Sequence, residues 1–199
     1  MKTCQVGGML RGMSDGKPSA RAVSGEAAPR EALPPQAEEV LGGTPVLLPP
    51  PGPIQIQTGL RLLEVLCPPG QEKDVGAWVL RRNLPVHLAE DRLVPDLAGW
   101  RRERWKEPEA GEGVTLAPDW ACEVLSDETE SWDRGHKMLA YGLGRVGHVW
   151  LVHPGMRTLE VYLFEGFSWS LLDVWEEQGP VKAAPFEALA WDLSALWAG

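Results

Sequence analysis

Leu93-Val-Pro-Asp-Leu-Ala-Gly-Trp100 and Ala117-Pro-Asp-Trp-Ala-Cys-Glu-Val-Leu125, followed by helical character from about Thr129 to Leu143, decide the fold. The first two are short apolar runs bounded by turn residues, the pattern of strands with a buried face. The third is stopped by glycines at 142, 144 and 147. Beyond it, His148 to Val152 and Thr158 to Phe164 read as strands around a His153-Pro154-Gly155 turn, and Ser168 to Val174 as a last strand. Strands on either side of an embedded helix make an α/β layout, a mixed β-sheet flanked by helices.

Upstream, Glu39-Val-Leu-Gly-Gly-Thr-Pro-Val-Leu-Leu48 reads as strand, glycine turn and strand. Pro53 opens a helix with apolar positions at Ile56, Leu60, Leu63 and Cys67, expected to stop at Pro68-Pro69-Gly70. Gly76 to Leu80 and Leu84 to Leu88 are short strands, and Arg101 to Lys106 is an exposed basic loop. The apolar C-terminal stretch, Phe186 to Trp197, is expected to pack across the sheet. Residues 1–33 contain no aromatic side chain and are rich in Gly, Ser, Ala, Pro and charge. Such a segment buries too little apolar surface to offset its ordering entropy, so it reads as a disordered tail ahead of one domain, 34–199.

The chain has 199 residues, 44% of them hydrophobic, with ten tryptophans, enough for one substantial core. No apolar run approaches the roughly 20 residues that cross a bilayer, and Met1 to Arg11 does not read as a signal peptide. Cys4, Cys67 and Cys122 are odd in number and widely spaced, which argues against a disulfide framework or a zinc site and for a reducing cytoplasm. The net charge of −9 disfavours broad attraction to nucleic acid, although a cluster of metal-binding acids would itself add to that total.

Asp96 lies near the start of one expected strand and Glu123 near the end of the next. In an antiparallel pair those two ends adjoin, so the two carboxylates meet at one edge of the sheet. Hard divalent cations such as Mg²⁺ usually take one or two protein carboxylates and leave places for water and phosphate. Asp119 is a rival acid. It stands about 13 Å from Glu123 along an extended strand, so it reads as a strand-entry residue. Asp133, Lys137 and Tyr141, at i, i+4 and i+8, share one helix face, from which the Lys137 ammonium could orient a water and offset phosphate charge. An Asp133–Lys137 helix ion pair is the plainer account of that spacing taken alone. His87, His136, His148 and His153 lack metal-ligand spacing. The tryptophans read as core residues.

Taken in order, Val94-Pro-Asp-Leu-Ala-Gly-Trp100, Ala117 to Ser126, Asp133-Arg-Gly-His-Lys137 with Tyr141, Val149-Trp-Leu-Val-His-Pro154 and Thr158-Leu-Glu-Val161 resemble the Uma-two family. These are bacterial proteins of the restriction-endonuclease type within the PD-(D/E)XK nuclease superfamily. The resemblance covers about residues 35 to 199. It implies a restriction-endonuclease-like fold with a four-stranded mixed core sheet, often in homodimers, and a divalent-metal phosphodiesterase site. By the same resemblance Asp96 and Glu123 are the metal acids, Lys137 the helix lysine and Glu39 an upstream glutamate. Four positions depart from the pattern. Leu125 stands where the superfamily has a Glu-x-Lys lysine, and Gly42-Gly43 replaces an Asp-Gly turn. His153 replaces the Asp of Val-Asp-Pro, and Gln55 replaces a histidine.

The expectation is therefore a Mg²⁺- or Mn²⁺-dependent endonuclease acting on DNA. Asp96 and Glu123 would hold the metal, Glu39 would assist, Lys137 would position the nucleophilic water, and Asp133 and Tyr141 would support them. Two alternatives stay open: a catalytically silent homo-oligomeric binding or regulatory protein, and a non-nucleolytic metal-dependent hydrolase.

Overall fold

A computed structural model describes residues 38–67, 74–75, 77–109 and 113–198. The tail at 1–33, with Cys4, and the expected helix stop at 68–70 lie outside the described residues. The chain opens with β1 (Glu38–Leu41) and β2 (Thr44–Leu47), an antiparallel hairpin. Gly42 and Gly43 turn it at φ +59° and +72°. Positive φ at both central residues is what a two-residue hairpin turn of this twist needs, and glycine adopts it without a Cβ clash. Helix α1 (Pro53–Leu66) starts with proline in its first turn, where a missing N–H costs nothing. Then come β3 (Asp74–Val75), β4 (Trp78–Arg82), β5 (Val86–Leu88), β6 (Asp91–Leu93), β7 (Leu97–Arg101) and β8 (Trp120–Val124).

The expected single strand from Leu93 to Trp100 is two strands in two sheets. β6 joins a small sheet of order β2-β1-β6-β5, and β7 joins the main sheet. Pro95 has no N–H to give a ladder, which breaks the strand. The Val94 N–H donates instead to Glu39 Oε1 at 2.8 Å. The Val94-Pro95-Asp96 crossing thus puts Asp96 at the corner between the sheets.

After β8 a continuous helical segment runs as α2 (Glu130–Trp132), a π turn (Asp133–Lys137) and α3 (Met138–Leu143). In the π turn the Met138 N–H reaches back five residues to the Asp133 carbonyl. Next are β9 (His148–His153), β10 (Thr158–Phe164) and β11 (Trp169–Glu176), then the short pair β12 (Pro180–Val181) and β13 (Trp191–Asp192), and a closing 3₁₀ turn, Leu193–Leu196. The main sheet has order β11-β10-β9-β8-β7-β4-β3, wider than the four strands the resemblance implied. It is mixed: β8 and β9 are parallel, and the other neighbours antiparallel.

Side chains alternate across this sheet. On one face Trp78, Leu97, Trp120, Cys122 and Trp150 pack with Leu62 and Leu66 of α1 and with Phe186, Leu193 and Leu196, so the C-terminal stretch does cross the sheet. The rings of Trp120 and Trp150 meet edge to face at 5.2 Å, and the Trp150 indole N–H donates to the Ala184 carbonyl. On the other face Ala98, Trp100, Ala121, Val149 and Leu151 pack with Met138, Ala140 and Tyr141 of α3. Glu123, one residue beyond Cys122, therefore lies beneath the helical segment.

Candidate active site

β7 and β8 pair antiparallel with Leu97 across from Cys122 and Ala98 across from Ala121. One step further along this register sets Asp96 across from Glu123, the adjacency expected of the two strand ends. Asp96 Oδ2 accepts the Val124 N–H at 2.8 Å. α1 is tethered to the same strand, since Gln55 Nε2 donates to the Val124 carbonyl at 2.9 Å.

Lys137 reaches this corner from the π turn. Its Nζ lies 3.2 Å from Glu123 Oε2, 3.2 Å from Glu39 Oε1 and 3.1 Å from Asp133 Oδ1. Three acceptors satisfy an ammonium's three N–H bonds. The Tyr141 hydroxyl donates to the other Glu123 oxygen. Glu39, Glu123, Asp133, Lys137 and Tyr141 are all buried. The plain Asp133–Lys137 helix pair exists, but it is one arm of a network that also holds both glutamates. The structure thus brings Glu39, Glu123, Asp133, Lys137 and Tyr141 into contact and sets Asp96 across from Glu123. Asp119 stands apart: it accepts the Arg101 N–H and pairs with Arg104 at the far end of the strands.

The electrostatics of the site are unbalanced. Four carboxylates, from Glu39, Asp96, Glu123 and Asp133, act on one ammonium. Burial is the largest influence on Lys137 and works against its charge, but these acids, Glu123 foremost, outweigh it and hold the pKa well above the ordinary value. Burial likewise dominates at Glu39, Asp96 and Glu123 and disfavours their ionised forms. Glu39 is raised, Asp96 is pushed up to about 6, and Glu123 lies well above the usual carboxylate range despite Lys137. Burial and the neighbouring Glu123 charge also raise Tyr141, keeping its hydroxyl a donor.

Among the described residues no group of three or more His, Cys, Asp or Glu side chains is arranged to hold a metal ion. The donor set nevertheless suits a hard divalent cation of the Mg²⁺ type. Asp96 and Glu123 supply the two carboxylates such an ion takes. Glu39 Oε2 is a buried oxygen without a hydrogen-bond partner. The excess of negative charge is what a cation would offset.

Arg134, Glu160 and Tyr162, which form a second network beside this one, were not singled out from the sequence. Arg134 donates to Glu130 four residues earlier at 2.6 Å and to Glu160 on β10 at 2.6 and 2.7 Å. The i, i+4 spacing of Glu130 and Arg134 was a readable signal. The partnership with Glu160, across 26 residues, was not. His153 is buried, and its Nδ1 accepts the Met156 N–H, so it serves the turn that follows β9.

Comparisons with known proteins agree with the fold. No curated protein matches the chain. A crystal structure described as a "putative nuclease" belonging to DUF820, from Anabaena variabilis ATCC 29413, superimposes with a TM-score of 0.66 at 20% identity, covering 81% of this chain and 90% of that one. The family Uma2, described as "putative restriction endonuclease", matches residues 29–195. With the sheet, the corner of acids and the helix lysine in place, the chain belongs to the Uma2 family and has the α/β fold of restriction-endonuclease-like proteins.

Proposed function

We propose that the protein is a Mg²⁺- or Mn²⁺-dependent endonuclease that hydrolyses phosphodiester bonds in DNA. The observation that carries this reading is the convergence of Glu123, Lys137 and Asp96 at one corner, with Lys137 3.2 Å from Glu123. Asp96 and Glu123 would hold the metal, with the buried free oxygen of Glu39 assisting. A bound divalent ion supplies Lewis-acid stabilisation of phosphoryl charge and lowers the pKa of a bound water. The Lys137 ammonium offsets phosphate charge, and it orients the attacking water by exchanging one of its three carboxylate bonds for a bond to that water. Asp133 and Glu39 hold that ammonium in place, and Tyr141 fixes the rotamer of Glu123.

The test is cleavage of supercoiled and linear DNA in Mg²⁺, Mn²⁺ or chelator, with RNA and small phosphodiesters as alternative substrates. Asp96→Ala and Glu123→Ala are expected to abolish metal-dependent cleavage with the circular dichroism spectrum unchanged. Cleavage retained in both variants excludes the assignment.

A second reading is favoured by one observation: both oxygens of Glu123 are engaged, by Lys137 and Tyr141. In that reading the protein is a catalytically silent homo-oligomeric binding or regulatory module. Calorimetry separates the two, since no heat at millimolar Mn²⁺ favours the silent module.

A further inference from the structure

Glu123, Leu151 and Glu160 lie side by side across β8, β9 and β10, because Leu151 pairs with Glu123 on one side and with Glu160 on the other. The two glutamates therefore stand on the same face, two strands apart, about 10 Å by the usual strand spacing. Each is held in the same way. Lys137 bonds to Glu123 at 3.2 Å and the Tyr141 hydroxyl donates to it. Arg134 bonds to Glu160 through both terminal nitrogens, at 2.7 and 2.6 Å, and the Tyr162 hydroxyl donates to Glu160 at 2.6 Å. Both cations come from one turn of helix.

In a regular α-helix residues i and i+3 lie about 60° apart around the axis, too close to straddle two strands easily. The turn from Asp133 to Lys137 is a π turn. Its extra residue spreads Arg134 and Lys137 around the axis and lets them reach separate strands. Met138, Ala140 and Tyr141 already seat the helix in the core. A second ion pair on the same lateral row adds a restraint on its roll, and with it on the direction of the Lys137 ammonium.

We propose that Arg134 and Glu160 are positioning residues: their two-pronged ion pair, made possible by the π turn, holds Lys137 against Glu123. Their effect on cleavage rests on the nuclease reading above, whereas their effect on Lys137 does not. The Arg134 fork suits this task better than lysine would, since only a guanidinium makes two parallel bonds to one carboxylate. Glu130 completes the guanidinium's partners through its Nε.

The experiment follows Glu160→Gln and Arg134→Lys by two readouts, with Glu177→Gln as control. The control breaks an exposed ion pair, Arg157–Glu177 at 3.2 Å, that does not touch the helix. The first readout is the ¹⁵N NMR signal of the Lys137 ammonium, assigned by its loss in Lys137→Arg and sharp in the wild type because a buried, fully bonded ammonium exchanges slowly. It is expected to shift or broaden in both clamp variants and to stay put in the control. The second is cleavage kinetics, where displacement of Lys137 by about 1 Å is expected to lower kcat about a hundredfold with KM for DNA little changed. An unmoved ammonium signal in a folded clamp variant overturns the proposal. So does an unchanged kcat in an active enzyme. If the wild type cleaves nothing, the nuclease reading falls and the ammonium signal alone decides the clamp. If Arg134→Lys does not fold, Tyr162→Phe takes its place and must produce a smaller displacement in the same direction.

Discussion

Lys137 and Asp96 sit at the same corner and make opposite contributions to stability. Asp96 carries a half-buried carboxylate among other acids, and its native pKa of about 6 exceeds the unfolded value of 3.8. The native state therefore binds this proton more tightly than the unfolded chain does. The cost of ionising Asp96 is absent below pH 3.8, grows as pH rises, and is complete above about 6. Asp96→Asn is thus expected to stabilise the metal-free protein at pH 8, by at most about 3 kcal/mol, with the gain vanishing toward pH 4. Lys137→Met does the reverse, leaving buried carboxylates without their counter-charge at a cost of about 3–5 kcal/mol. Urea midpoints at pH 8 check both, and a destabilised Asp96→Asn would refute the account of the corner as a site of charge repulsion. Substitutions that stabilise while removing activity are the usual mark of residues kept for function.

The elements that matter most are the helical segment through the π turn and the three strands beneath it. The bond to Arg134 lowers the Glu160 pKa, against a smaller opposing effect of burial. A depressed carboxylate pKa means the clamp contributes its full stability above the unfolded pKa of 4.5 and loses it as pH falls through the native value. The stability difference between wild type and Glu160→Gln is expected to be constant from pH 8 to 6 and to close below about pH 4, as thermal melts across that range would show. A gap that widens in acid would contradict this sign. Helical character from 129 to 143 was readable from spacing and closing glycines. The π turn was not, because no spacing along the segment distinguishes it from a regular helix. The break at Pro95 was readable in principle, since proline has no N–H. What the spacing of 93–100 could not convey was that the chain changes sheets there, a consequence of Glu39 taking the Val94 N–H.

Over the whole molecule, no described helix is long and apolar enough to cross a membrane. β11 forms one edge of the main sheet and exposes Leu171, Leu172 and Val174. Native proteins commonly guard or pair such an edge. A second copy of the chain docked on β11 would give a sedimenting mass twice the 21.8 kDa of one chain, and Leu171→Glu would return it to the monomer. Divalent metal bears on the whole molecule too. An ion that binds only the folded state raises the midpoint of thermal unfolding, with the logarithm of its concentration once that exceeds the dissociation constant. Millimolar Mn²⁺ is expected to raise it at pH 8 in the wild type and not in Asp96→Asn, by differential scanning fluorimetry.

Most of the strands and helices, the adjacency of the two acids and the glycine hairpin could be read along the chain, and the lysine through the order of motifs, because periodicity, turn chemistry and motif order are local properties. The tertiary structure alone decided which groups face one another. It put Glu39 against Lys137, lined up Glu123 with Glu160 across three strands, and left one carboxylate oxygen buried and free. Those relations depend on strand register and on how far a helix rolls. Both are set by packing the two sheet faces at once, which no stretch of sequence encodes by itself.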